Sequence, residues 1–188
     1  MDIDNNLKSG VAVYGASSSA IPAKYLDAAR RMGELIARAG LTLVCGGGRA
    51  GIMGAAIEGA AACGGHTIGV LPQFMIDKAW NHPALSDTLS TPDMHTRKAT
   101  MASLSRAVVA MAGGIGTLDE LAEMMTWHQL GLFDGPVIIV NTDGFYDPLL
   151  EMFARMTAEG FIRDGGLLPA TIVATPEEAI SIISHANA

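Results

Sequence analysis

The feature that most constrains this chain is a regular alternation of short apolar runs with longer segments of helical periodicity. Such β-then-α repetition is typical of proteins built on a parallel sheet. The runs are continuously apolar, as in strands that are covered on both faces. The sequence therefore predicts the α/β class, with a Rossmann-like, doubly wound parallel sheet and helices on both faces.

The strands predicted from the apolar runs are Val11–Tyr14, Leu41–Cys45, Thr67–Leu71, a short one near Thr88, Ala107–Met111, Val137–Val140 and Thr171–Ala174. The helices predicted from the 3.6-residue period and from Gly and Pro at their ends are Pro22–Ala39, Gly51–Cys63, Met94–Ser105, Leu118–Leu130, Tyr146–Ala158 and Pro176 to about Ser184. The segment from Gln73 to Pro92 has little periodicity and is predicted to be a lid or a surface excursion. Without a linker or a repeat, we expect one nucleotide-binding domain over residues 1–188, with residues 1–9 as a disordered tail.

Composition excludes several classes of protein. Hydrophobic residues make up 49% of the chain and charged residues 16%, which rules out disorder as the main state. Two cysteines, Cys45 and Cys63, are too few for a disulfide scaffold, and we expect both to be reduced. A net charge of −7 argues against a nucleic-acid partner. No apolar run is long enough for a membrane span and the N-terminus does not resemble a signal peptide, so the expected location is the cytoplasm.

Three glycine-rich segments follow predicted strands one, two and five, at the edge of the sheet where such folds bind ligands. The first segment, Gly15–Ser19, offers backbone N–H groups and hydroxyls, Ser17 among them, to an anion. An ordinary N-cap with a flexible turn explains the same residues about equally well.

The second glycine-rich segment runs from Gly46 to Gly54 and formally contains G-x-G-x-x-G. A dinucleotide site also needs an acidic residue about 20 positions further on, and the stretch from His66 to Pro72 contains none. NAD is therefore disfavoured. Close approach of the backbone at Gly46, Gly47 and Gly48 to a smaller nucleotide remains a prediction.

The third glycine-rich segment contains Gly113, Gly114, Ile115, Gly116 and Thr117 and leads into a strong helical pattern. Its glycines would let the backbone approach a phosphate, and Thr117 would add a hydroxyl near the helix N-terminus. The alternative is structural, because Thr117 and Glu120 have the spacing of a capping box.

Two adjacent basic residues, Arg97 and Lys98, stand out in this acidic chain. A solvated basic spot is the alternative to a functional role. The five histidines, at positions 66, 82, 95, 128 and 185, do not have the spacing of metal ligands, so no metal site is expected.

The combination of Arg97-Lys98, the segment Gly113–Glu120 and the segment Thr126–Gly131 resembles the LOG ("Lonely guy") family of cytokinin riboside 5′-monophosphate phosphoribohydrolases. The family pattern is PGGxGTxxE with an upstream arginine-lysine pair. The resemblance continues through Gly46–Gly48, Gly51–Gly54, Asn141–Tyr146 and Glu159–Phe161, and spans about residues 11–183.

The resemblance implies hydrolysis of an N-glycosidic bond in an AMP-type nucleotide, without a cofactor. It implies that Arg97 and Glu120 are the catalytic pair, that Gly114, Gly116 and Thr117 bind the 5′-phosphate, and that Lys98 and Thr126 contact the nucleotide. It also implies a homodimer with the active site near the subunit boundary. A non-catalytic nucleotide or molybdenum-cofactor carrier of the same fold is the alternative.

Two positions depart from the family pattern. Ala112 replaces the leading Pro of the glycine motif, which loosens the turn but removes no donor. Ala79 stands where members place an acidic substrate contact, and Asp77 is the candidate to replace it. These departures put the choice of substrate in more doubt than the reaction.

Overall fold

The computed structural model describes residues 9–162 and 168–186. Seven strands form one sheet in the order β4-β3-β2-β1-β5-β6-β7, and every neighbouring pair is parallel. The strands are β1 Gly10–Tyr14, β2 Thr42–Cys45, β3 Thr67–Pro72, β4 Asp87–Thr91, β5 Ser105–Ala110, β6 Val137–Val140 and β7 Thr171–Val173. The predicted doubly wound parallel sheet is confirmed.

Helices cover both faces of this sheet. They are α1 Ala23–Arg38, α2 Gly51–Ala62, α3 Gln73–Asp77, α4 Met94–Ser103, α5 Ile115–Gln129, α6 Asp147–Ala158 and α7 Pro176–His185, with a 3-10 helix at Thr142–Gly144. Side chains of α1, α2 and α7 pack with Val11 and Val13 on one face of β1. Side chains of α4, α5 and α6 pack with Ala12 and Tyr14 on the other face. The central strand is thus buried on both sides, which explains its uninterrupted apolar sequence.

The order in which strands are added to the sheet changes direction between β1 and β5, although the two strands are parallel. Strands β1 to β4 extend to one side, and the chain then returns to place β5 on the free edge of β1. Such a reversal leaves a crevice at the carboxyl ends of the two strands, where ligands bind in open α/β sheets. The three glycine-rich segments follow β1, β2 and β5 as predicted. The loops after β1 and β5 are joined by a hydrogen bond from Ala16 N to the Ala112 carbonyl, at 3.1 Å.

Three boundaries differ from the sequence prediction. Helix α5 begins at Ile115 rather than Leu118, because Gly114 in an extended conformation is its N-cap and Gly116 continues the helix. The predicted lid contains a short helix, α3, in addition to the strand β4. The predicted tail of residues 1–9 falls mostly outside the described residues, but the Ser9 carbonyl accepts a hydrogen bond from Thr42 N at 2.9 Å, so Ser9 belongs to the fold.

None of the helices in residues 9–162 and 168–186 is long and apolar enough to cross a membrane. Within the same residues, no group of three or more His, Cys, Asp or Glu side chains is arranged to hold a metal ion.

Candidate active site

A cavity of about 620 Å³ opens at the carboxyl ends of the central strands. Most of the predicted site residues line it, namely Ser17, Gly46, Gly48, Arg97, Lys98, Gly114, Ile115, Gly116, Thr117 and Glu120. Three predicted residues, Gly47, Gly113 and Thr126, do not line it. Glycine-rich loops from three strands and residues of α4 and α5 therefore meet around one space.

Arg97 is held rigidly at the centre of the cavity. It is on α4, whose N-terminus is capped by Asp93 Oδ1 accepting from Thr96 N at 2.7 Å. Arg97 as a whole is only 7% exposed. Its Nε donates to the Val70 carbonyl at the end of β3 at 2.9 Å, and its Nη1 donates to Glu120 Oε1 at 3.2 Å.

Gly46 provides the space for this arginine. A Cβ at position 46 would collide with Nη2 of Arg97 and would also touch the sulfur of Met53. The glycine that follows β2 is therefore required for the approach of a side chain, and its predicted contact with a ligand stays a prediction.

Glu120 lies in an environment that disfavours its charge. Its side chain is 12% exposed, and burial raises the pKa of its carboxyl to about 7, while the neighbouring Arg97 opposes the rise. Burial also raises the pKa of Tyr14, with Glu120 and Glu123 adding to the rise. A carboxyl group that titrates near neutral pH inside a cavity is typical of an acid–base or charge-stabilising group in an active site.

The capping-box interpretation of Thr117 and Glu120 is wrong. The N-cap of α5 is Gly114, so Thr117 is the third residue inside the helix and does not cap it. The carboxylate of Glu120 bonds to Arg97 instead of returning to a backbone N–H. This removes the structural explanation for Glu120 that its spacing allowed.

A second set of charges surrounds Lys98, the neighbour of Arg97. Lys98 Nζ lies 3.0 Å from Asp119 Oδ2 and 3.3 Å from Glu123 Oε2. Asp119 lines the cavity although the sequence analysis did not single it out. Its position next to Glu120 was the one sequence signal for a place in the site. Successive helical residues face different directions, so this signal did not predict that both side chains would line the same cavity.

The N-terminus of α5 also borders the cavity, about one turn before Glu120 on the same helix. A Cβ on Gly114 or Gly116 would meet no atom within 4 Å, so the backbone here borders open space. Thr117 is 4% exposed, and its side chain occupies the position where a Cβ of Gly113 would be. The first N–H groups of a helix carry partial positive charge and suit a phosphate.

The far end of the cavity, at β2 and β3, is mostly apolar. Met53, Leu71, Met75 and Trp80 line it, with Trp80 provided by the segment after α3. Ala79 has a positive φ of 54° and no acidic group. The suggested substitute, Asp77, does not line the cavity, and its Oδ1 accepts a hydrogen bond from Gln73 Nε2 at 2.8 Å.

Thr126 lies elsewhere, in a groove of about 330 Å³ between α5 and α6. Its hydroxyl donates to the Ala122 carbonyl, one turn earlier in α5, at 2.8 Å. The surrounding side chains are apolar and include Met125, Phe153 and Phe161. Within one chain, Thr126 is therefore separate from the other predicted nucleotide contacts.

Comparison with known sequences decides the family. A profile of the family described as "Possible lysine decarboxylase" matches residues 53–183. A rice protein, described as a probable cytokinin riboside 5′-monophosphate phosphoribohydrolase, is 40% identical over 171 residues, which is 90% of this chain and 70% of that protein. The chain belongs to the LOG family. An Arabidopsis thaliana member, named cytokinin riboside 5′-monophosphate phosphoribohydrolase, is 37% identical over 87% of this chain and 72% of its own length.

Solved structures with the same fold include molybdenum-cofactor proteins. The molybdenum cofactor binding protein of Rippkaea orientalis matches with a TM-score of 0.72 and 27% identity, over 95% of this chain and 96% of that one. The molybdenum cofactor carrier protein of Chlamydomonas reinhardtii matches with a TM-score of 0.71 and 27% identity, over 94% and 96%. Both proteins share the Rossmann-like architecture of this LOG family member.

The lysine residues give no chemical support to a decarboxylase. Of the three lysines among the described residues, Lys24, Lys78 and Lys98, only Lys98 lines the cavity. Its ammonium is held between two carboxylates, whereas a lysine that forms a Schiff base must reach its neutral amine form. Lys24 forms an ion pair with Asp143, away from the cavity, and Lys8 lies outside the described residues.

Proposed function

We propose that the protein hydrolyses the N-glycosidic bond of an adenosine 5′-monophosphate, with or without a substituent on N6. The products are the free base, adenine or a cytokinin, and ribose 5-phosphate. The observation that carries this proposal is the buried Arg97–Glu120 pair, which lines the same cavity as the N-terminus of α5. The relatives named as phosphoribohydrolases support the same reaction.

In this reaction the bond between C1′ and the base nitrogen breaks, and its electron pair leaves with the base. Positive charge develops on the ribose ring, as in glycoside hydrolysis. The carboxylate of Glu120 stabilises that charge and orients a water molecule, whose hydroxide part adds to C1′. The second proton of the water neutralises the departing base, so that the atoms and charges balance.

Arg97 acts mainly as a positioning residue for Glu120. Its Nε is already engaged by Val70, and its Nη1 by the carboxylate, so the guanidinium sets the orientation of Oε1. It also supplies the positive charge that favours the ionised form of a buried carboxyl. These contacts favour restraint of the carboxylate over direct binding of the substrate.

The 5′-phosphate binds at the start of α5. The open backbone at Gly114 and Gly116, together with the buried hydroxyl side chain of Thr117, supports this assignment. Because this loop stabilises only a phosphorylated substrate, nucleosides are cleaved far more slowly than their 5′-monophosphates.

The test is incubation with AMP, N6-prenylated AMP and adenosine, followed by chromatography for the free base. Release of base from the monophosphates, with far less from adenosine, is the expected result. Equal rates on AMP and adenosine would contradict the phosphate assignment. No release from any nucleotide, by a protein that binds nucleotides, would contradict the reaction itself.

A carrier of the molybdenum cofactor is the second candidate, because the molybdenum-cofactor proteins match nearly the whole fold. A carrier has no need for a carboxylate whose pKa is raised next to a buried arginine. Turnover of AMP that disappears in the Glu120→Gln variant distinguishes the two functions in favour of the enzyme.

Four further properties complete the proposal. We expect one nucleotide-binding domain, no nucleic-acid partner and a location in the cytoplasm, on the composition given above. We also propose a homodimer formed through the groove between α5 and α6. Support comes from Phe161, which lines this apolar groove and is 76% exposed, and from Met152 on α6, which is 48% exposed. A partner seated there would also cover Thr126.

A further inference from the structure

Arg49 is in the loop after β2 and lines the cavity, where its side chain is held through Nε. Its Nε donates to the Asn81 carbonyl at 2.8 Å, and the backbone of Gly48 forms a bridge with Asn81. A hydrogen bond from His82 N to the Gly47 carbonyl, at 2.8 Å, joins the same two segments. The position of the guanidinium is thus set by the polypeptide, while its two terminal nitrogens form no hydrogen bond within the described residues.

Arg49 differs in this respect from the other cations of the cavity. Among the described lining residues the positive charges are Arg97, Lys98 and Arg49. Arg97 is paired with Glu120, and Lys98 is paired with Asp119 and Glu123. Within residues 9–162 and 168–186, Arg49 is therefore the one lining cation without a carboxylate partner, and its two terminal nitrogens are available to a ligand.

The order of the strands determines which part of the ligand Arg49 meets. The phosphate end of the cavity is at β5, and Arg49 follows β2, with β1 between them. Adjacent strands are about 4.8 Å apart, so the two loops are separated by roughly 10 Å, comparable to the length of a purine mononucleotide. With the phosphate at α5 and the ribose near Glu120, the base lies at β2 and β3, beside Arg49.

The chemistry at this end of the cavity consists of donors and apolar surface. Met53, Leu71, Met75 and Trp80 suit the faces of a purine ring. Both carboxylates that line the described cavity, Asp119 and Glu120, are on α5 and are already paired with cations. An exocyclic amino group on the base would therefore find no carboxylate here, whereas acceptor atoms would find Arg49.

We propose that Arg49 selects the base by donating to N7 and O6 of a 6-oxopurine, so that IMP-type nucleotides are substrates at least as good as AMP. The fork of an arginine matches these two acceptors, whereas adenine offers N7 but has an amino group at position 6. This inference rests on the proposed phosphoribohydrolase function and widens its substrate class.

The experiment compares kcat/KM for IMP and AMP, which differ at position 6, in the wild type and in the Arg49→Gln and Arg49→Lys variants. The wild type should cleave IMP at least as efficiently as AMP. Both variants should lower the IMP/AMP ratio about tenfold, because even lysine lacks the planar fork. An unchanged ratio, or a wild-type preference for AMP of tenfold or more, would overturn the proposal.

Two controls separate this inference from the proposed function. Arg38→Gln, at the end of α1 and away from the cavity, should leave the ratio unchanged. Equilibrium binding of IMP and AMP is then measured in the Glu120→Gln background, where turnover is suppressed. Tighter binding of IMP than of AMP that depends on Arg49 supports the base assignment even if hydrolysis fails. Hydrolysis of AMP, with IMP binding that does not depend on Arg49, contradicts only the role of Arg49 and leaves the proposed function in place.

Discussion

Nη1 of Arg97 lies 3.2 Å from Oε1 of Glu120, although the two residues belong to different helices, α4 and α5, which precede and follow strand β5 in the chain. Both side chains are about nine-tenths buried. Removing one partner from a buried pair leaves the other charge uncompensated, which is destabilising. Variants that keep the shape of the pair are therefore the informative ones.

Glu120→Gln should lower kcat by about a hundredfold or more, the usual effect of losing a positioned catalytic carboxylate. The amide fits the space beside Arg97 and resembles the protonated carboxyl, which is the main form below a pKa of about 7, so the melting temperature measured at pH 6 should change little. The matched control is Glu151→Gln, on the exposed side of α6, which should alter neither quantity. Turnover close to that of the wild type would remove Glu120 from the mechanism.

The raised pKa of Glu120 predicts a particular dependence of stability on pH. The folded state holds this proton up to about pH 7, whereas the unfolded chain releases it near 4.5. Between these values the folded state binds more protons, so Glu120 lowers the free energy of unfolding as the pH rises. Denaturant unfolding from pH 4.5 to 7 should show this fall in the wild type and a smaller one in Glu120→Gln. Identical slopes would contradict the raised pKa.

The same ionisation should appear in the rate. If the carboxylate form is required, kcat/KM for AMP rises as the pH increases through about 7, apart from the titration of the substrate phosphate. Comparing the profile with that of a substrate titrating differently separates the two ionisations. A rate that is flat from pH 5.5 to 8 would mean that Glu120 is ionised throughout.

Gly46→Ala should abolish most of the activity by displacing the Arg97 guanidinium. The effect should be strongly non-additive: in an Arg97→Ala background the added methyl group meets no guanidinium and should cost little more. Activity and melting temperature of the two single variants and the double variant complete the cycle. Additive losses would show that Gly46 acts independently of Arg97.

Thr117→Val tests the phosphate site. Loss of the hydroxyl should lower kcat/KM for AMP about tenfold, the size of one hydrogen bond to a charged group, and leave the slow cleavage of adenosine unchanged. Ser184→Ala, whose hydroxyl bonds within α7, is a control of the same kind. A parallel loss on both substrates would indicate a purely structural role.

Light scattering at micromolar concentration tests the proposed dimer. A mass near twice 19.5 kDa is expected for the wild type. Phe161→Asp should give the monomer mass, because it places a charge on the exposed side chain beside the groove between α5 and α6. A wild-type mass near 19.5 kDa would refute the dimer.

The fold could be predicted because burial on both faces makes each strand a continuous apolar run, as in Val137–Val140. The start of α5 could not be predicted in the same way. Glycine usually disfavours a helix, so Gly116 suggested a later start, whereas the helix begins at Ile115 with Gly114 as its N-cap. The contacts of Arg97 could not be predicted from the sequence either. Val70 and Gly46 are distant from Arg97 in the chain and approach it only in the folded sheet. Arg49 was overlooked because its tether, Asn81, is distant in sequence.

The change in strand order between β1 and β5 has a consequence for refolding. Val70, which anchors Arg97, belongs to the half of the sheet formed by β1 to β4, whereas Glu120 follows β5 in the other half. A chain in which only one half has assembled holds an arginine without its carboxylate, or the reverse. Recovery of turnover should therefore lag behind recovery of helical signal and coincide with the joining of the two halves. The recovery of turnover would then report when β5 pairs with β1.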